Sequence, residues 1–202
     1  MIESCYWKEE LARIARLLRP LRKPGRWTER KHCVLERELI IGFFIVRRLI
    51  EMHKLSSQTR DLALTIFACP ARGRIVNRMN ACDIDDLYDL ERETRMTKKP
   101  LYLSNQFIHS YISFIARDET GNFSDVLIVS DFDRKHCIWR IPVPEIRKLF
   151  LTAVRDYPHS LQYTFDADKG DYNITTNQNG TTHHSLGSTG SLSRARRPKM
   201  HS

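Results

Sequence analysis

Leu39-Ile40-Ile41-Gly42-Phe43-Phe44-Ile45-Val46 is the most apolar unbroken stretch of the 202-residue chain. Its length decides between two very different proteins, because a bilayer span needs about 20 apolar residues and Arg47 and Arg48 close this run after eight. The stretch belongs instead to a helical pattern that starts behind Thr28 and continues to about Lys54. A helix that is apolar on every side is buried through the middle of a domain. The spacing therefore predicts a long core helix, and Gly42, which costs about 1 kcal/mol relative to alanine in a helix, is expected to admit a close neighbour.

Working outward, Trp7, Leu11, Ile14 and Leu18 recur on one face of a helix expected from about Cys5 to Leu18, which Pro20 ends. Thr28, with Trp27 before it, has the chemistry of an N-cap. On the far side, Leu62 to Phe67 reads as a short strand and Arg72 to Arg78 as a basic, glycine-interrupted connection. Asp83 then looks like the N-cap of a surface helix through about Thr94, with acidic Asp85, Asp86 and Asp89 at its positive end. Pro100 to Arg117 supports two readings, one long strand or a helix over Leu101 to His109 followed by a strand. Tyr111 to Arg117 and Phe123 to Ser130 flank a five-residue turn cluster containing Gly121, a hairpin signal. His136 to Ile141 supplies a third strand, and Pro144 opens a helix to about Asp156 with Ile146, Leu149, Phe150, Ala153 and Val154 on its apolar face.

The expected class is α+β: N-terminal helices including the long buried core helix, then a three-stranded antiparallel meander packed by a C-terminal helix. Residues 1–158 are expected to form a single globular domain. Residues 159–202, rich in Ser, Thr, Asn, Gly and His and ending in Arg194, Arg196, Arg197 and Lys199, are expected to be a disordered tail with a basic end.

Composition narrows the setting. Cys5, Cys33, Cys69, Cys82 and Cys137 are odd in number and contain no C-x-x-C pair, which signals neither a disulfide framework nor a structural zinc site. The first residues carry Glu3, Lys8, Glu9 and Glu10 in place of an apolar leader. A reducing, cytoplasmic location is the expectation, with no membrane partner and with the sequons at Asn122, Asn173 and Asn179 unused.

The formal charge of +9 is unevenly placed. Arg13, Arg16, Arg19, Arg22, Lys23, Arg26, Arg30 and Lys31 face a single acid, Glu29, within nineteen residues, and the basic end of the tail carries four more cations without an acid. The remainder of the chain is slightly acidic. Guanidinium groups spaced every third residue can fork onto phosphates, so the leading expectation is a non-catalytic module binding RNA or DNA phosphate through these eight residues. An acidic protein partner would suit the same surface, and so would internal pairing with Asp85, Asp86, Asp89, Glu91 and Glu93.

Two clusters raise other chemistry. Asn105 and His109 stand at i, i+4, sharing a face if the segment is helical. This spacing loosely resembles the Asn-x-x-x-His part of the catalytic motif of HEPN-type ribonucleases, small helical proteins of toxin and defence systems. In that family an arginine directly precedes the Asn; here Ser104 stands there. The resemblance implies a metal-independent ribonuclease in which His109 acts as general acid or base on a ribose hydroxyl while Asn105 orients the phosphate. Asp131, Asp133, His136 and Cys137 crowd one turn, but Lys135 occupies a ligand position and the distal glutamate of a calcium loop is missing. No metal or cofactor is expected, and Asp at a hairpin turn is ordinary turn chemistry.

Overall fold

The computed structural model of the chain describes residues 3–177. Its helices are α1 (Ser4–Leu17), α2 (Glu29–Glu51), α3 (Ser57–Arg60), α4 (Ile84–Leu87), α5 (Pro100–Ile108) and α6 (Val143–Arg155). The strands are β1 (Leu64–Pro70), β2 (Thr94–Lys98), β3 (Ser110–Arg117), β4 (Phe123–Ser130), β5 (Cys137–Pro142), β6 (Ser160–Asp166) and β7 (Asp171–Asn177). The class is α+β, with every strand pair antiparallel.

α2 is the spine. Thr28 caps it, its hydroxyl accepting the Lys31 N–H at 3.3 Å. Phe43, fully buried, stacks on Phe107 of α5 with ring centroids 3.8 Å apart and meets Phe150 of α6 edge-on at 5.2 Å. Gly42 makes that approach possible: a Cβ there would stand 2.6 Å from Cζ of Phe150.

The main sheet runs β2-β1-β5-β4-β3, so it has five strands where three were expected. β4, β5 and the helical layer were visible from apolar periodicity. β1 joins them by pairing Phe67 to Pro70 with Cys137 to Arg140, and β2 extends the edge. Val126, Ile128 and Ile141 point into the helical core, while Leu127, Val129 and Ile138 of the same strands pack with Cys69, Val76, Leu87 and Tyr88. The second face is thus covered by the connection between β1 and β2. Burial on both faces accounts for the unbroken apolar run in β4.

That connection corrects the surface helix expected from Asp83 to Thr94. α4 makes one turn, after which Tyr88 turns extended and bridges Ala71. Its hydroxyl donates to the Arg134 carbonyl at 2.8 Å, and burial makes Tyr88 a core residue. Of the two readings of Pro100 to Arg117, helix then strand is the observed one. The polar stretch beyond Pro158, expected to be without structure, contains the β6–β7 hairpin, anchored where the Thr176 hydroxyl donates to the Leu55 carbonyl at 2.7 Å. The basic tail end, Arg194 to Lys199, lies outside the described residues. Among those described, no helix is long and apolar enough to cross a membrane.

Candidate nucleic-acid interface

The segment between α1 and α2 has few apolar residues and no regular backbone bonding, so something else must hold it. Asn122, at the β3–β4 turn, does this by accepting the Leu21 N–H at 2.8 Å and donating to the Leu21 carbonyl at 3.1 Å. The turn itself is pre-set. Asp118 accepts the backbone N–H groups of Thr120 and Asn122 at 2.9 and 3.0 Å, and Gly121 takes φ +83° with Pro24 packed against it. At the start of α2, Lys31 Nζ donates to the Arg26 carbonyl at 2.7 Å.

Docking this loop onto the turn encloses an open cavity of about 460 Å³. Leu17, Leu21, Trp27, Val34, Leu35 and Phe123 supply its apolar lining, and Arg19, Arg30 and Lys31 bring cations to it. Trp27 is fixed by edge contacts with Phe123 (5.1 Å) and His32 (5.7 Å) and by the Arg117 guanidinium, 5.1 Å from its ring. His32 thereby belongs to an aromatic cluster.

The eight expected phosphate-binding cations divide into one and seven. Arg13 forks onto Glu10, with its shorter N···O distance 2.7 Å, and also donates to Glu38. Glu38 is 3% exposed and receives Arg37 as well, at 2.6 Å. Arg13 is therefore committed to the fold, its own charge held by those carboxylates. Arg16, Arg19, Arg22, Lys23, Arg26, Arg30 and Lys31 are all exposed, and none forms an ion pair among the described residues. Of the five acidic residues that could have neutralised them, three are engaged elsewhere: Asp86 with Arg74 (3.1 Å), Asp89 with Arg72 (3.3 Å) and Glu93 with Arg140 (2.7 Å).

Asn105 and His109 lie at the end of α5, where the His109 N–H caps the helix on the Asn105 carbonyl at 3.0 Å. Both side chains are exposed and line a second, polar recess of about 520 Å³ with Arg47, Tyr102, Gln106 and residues 130–133. Ser104 faces the other way, fully buried, its hydroxyl on the Pro100 carbonyl at 2.9 Å. Sequence reading missed Arg47, which α2 brings to this recess from 58 positions away, paired with Glu51 at 2.8 Å. Asp133 is occupied structurally, its Oδ2 accepting from Tyr102 (2.7 Å), Gln106 (2.8 Å) and Trp139 (3.3 Å). Burial and then that carboxylate push the Tyr102 hydroxyl well above the usual phenol range. Asp131 pairs with Arg134 at 3.0 Å, and no three His, Cys, Asp or Glu among the described residues are grouped to hold a metal.

No protein-family model, curated protein or solved structure matches this chain.

Proposed function

We propose that the protein binds a nucleic-acid backbone through the segment from Arg16 to Lys31. One observation carries this reading: seven exposed cations lacking carboxylate partners among the described residues run from Arg16 at the end of α1, through Arg19, Arg22, Lys23 and Arg26 on the connecting loop, to Arg30 and Lys31 at the start of α2, and Asn122 clamps that loop at Leu21. Unpaired cations on a fixed frame release phosphate counterions on binding without first breaking internal pairs. If all seven engage, log K falls with log salt at a slope of about −5 to −6. Fluorescence anisotropy of a labelled oligonucleotide, titrated at several KCl concentrations, tests this directly. The absence of binding at low salt overturns it, and capture of an acidic protein in its place would assign the surface to the alternative partner class.

A second reading concerns the polar recess. It gathers Asn105, His109 and a cation, Arg47, in one concavity, and the burial of Ser104 explains why the residue before Asn105 could not supply that cation. In this reading His109 serves as general base or acid on an RNA 2′-hydroxyl while Asn105 and Arg47 hold the phosphate. Loss of RNA cleavage in His109→Ala with RNA retention intact would support it; no cleavage by the wild-type chain removes it.

A further inference from the structure

We infer that the cavity beside Trp27 receives one unpaired nucleobase, with Arg19, Arg30 and Lys31 holding the adjoining phosphates. The inference rests on the backbone-binding reading and adds a strand preference to it. Three features of the cavity lead there. Its volume of about 460 Å³ lies within the range of small-ligand sites, which bury a ligand body against apolar walls and orient it with a few polar groups. The lining joins an indole, a phenyl ring and aliphatic side chains, while its cations are those of the proposed backbone track. The shape also does not depend on a ligand: the Asn122 clamp on Leu21 and the aromatic contacts of Trp27 set it beforehand.

The nature of the occupant follows from the ratio of charge to cavity. An amphipathic anion such as a fatty acid has one head group, which one or two cations satisfy. Here three of the seven unpaired cations line one cavity, and the other four belong to the same segment from Arg16 to Lys31. A polymer with repeated phosphates and one aromatic body per repeat uses both features; a lone anion uses a fraction of one. Bases inside a duplex are paired and stacked, so only a single strand or a loop can offer one without an opening cost.

The test uses the full chain and three fluorescein-labelled probes matched in length, each of about 12 nucleotides per strand: oligothymidine, an abasic strand and a blunt duplex. Stacking of one base strengthens binding by roughly 5- to 150-fold, so oligothymidine should bind at least fivefold more tightly than the abasic strand at equal salt, with parallel salt slopes. Val34→Phe, at a position 38% exposed, puts a ring into the cavity and should shrink that difference while leaving the abasic affinity in place. Leu21→Ser, at 53% exposure, should reduce it without touching the core. Equal affinity for the thymidine and abasic strands overturns the base site while the backbone reading stands. Failure of every probe to bind at low salt overturns both.

Discussion

Gly42 sits under a buried ring, so substitution sets two effects against each other. Alanine is better in a helix by about 1 kcal/mol, but its methyl would need Phe150 to move, and that ring is fully buried and wedged against Phe43. Overpacking a filled core costs about 1 to 3 kcal/mol. Gly42→Ala is expected to lose about 1 kcal/mol net, read as a lower urea midpoint at unchanged m-value. The two classes of arginine separate just as sharply. Arg13→Ala removes a partner of buried Glu38, and although Arg37 remains, a loss of about 2 kcal/mol is expected, with the salt slope of oligonucleotide binding unaltered. Arg30→Ala should leave stability within about 0.5 kcal/mol and flatten the slope by about 1. Chemical denaturation and salt titration of the two variants distinguish these outcomes; a slope change in Arg13→Ala would contradict its assignment to the fold.

The elements show which information the sequence holds and which it does not. α1, α2 and α6 each bury an apolar face, although α2 is not enclosed all round as its sequence suggested, Phe44 staying 43% exposed, and β3–β4 is a hairpin with its turn glycine, so their apolar periods were readable. β2 was not: Thr94 to Thr97 are all exposed, and an edge strand with both faces wet has no alternation to detect. The single turn of α4 had acids at the right places for a longer helix, but Tyr88 gains burial and a bridge to Ala71 by leaving it, and tertiary packing outweighed local preference. The β6–β7 hairpin did carry a signal, Leu161, Tyr163 and Phe165 at period two before a turn at Gly170 with φ +63°, obscured by the polar composition around it. The basic segment was visible as a charge sum, whereas the cavity was not, because its wall depends on an amide 101 residues from the backbone it clamps. Asn122→Ala tests that dependence. Removing two largely exposed hydrogen bonds should cost about 1 kcal/mol or less in stability. It should nevertheless loosen the loop, lowering oligothymidine affinity by several-fold without changing the salt slope; an unchanged affinity would show that the clamp is not needed to shape the site.

At the scale of the whole molecule, burial of titratable groups away from the basic segment sets how the fold responds to alkali. Burial, with Asp133 adding to it, pushes the Cys137 thiol up to about 11, and burial raises Cys69 as well. Tyr88 is pushed up to about 12 by burial, and Tyr102 is raised by burial and Asp133. In each case the folded chain keeps a proton that the unfolded chain has already lost, so stability is fully present below the unfolded value and falls as pH rises through the folded one. Lys8 works the other way. It is 1% exposed, donates to the Asp156 carbonyl and lies 3.7 Å from the Tyr157 ring centroid, and burial lowers its value despite the opposing pull of Asp156. The folded chain sheds that proton first, so Lys8 adds stability as pH approaches the ordinary lysine range near 10.4. Four groups oppose one. The urea midpoint should therefore decline from about pH 8.5, where unfolded thiols begin to ionise, towards pH 12. Replacing Cys69 and Cys137 together by alanine should delay the onset to about pH 10, where unfolded tyrosine titrates. The comparison is of onset and not of absolute stability, since each Cys→Ala change removes buried volume at every pH. An onset that stays near pH 8.5 in the double variant would show that the thiols do not control the alkaline limb.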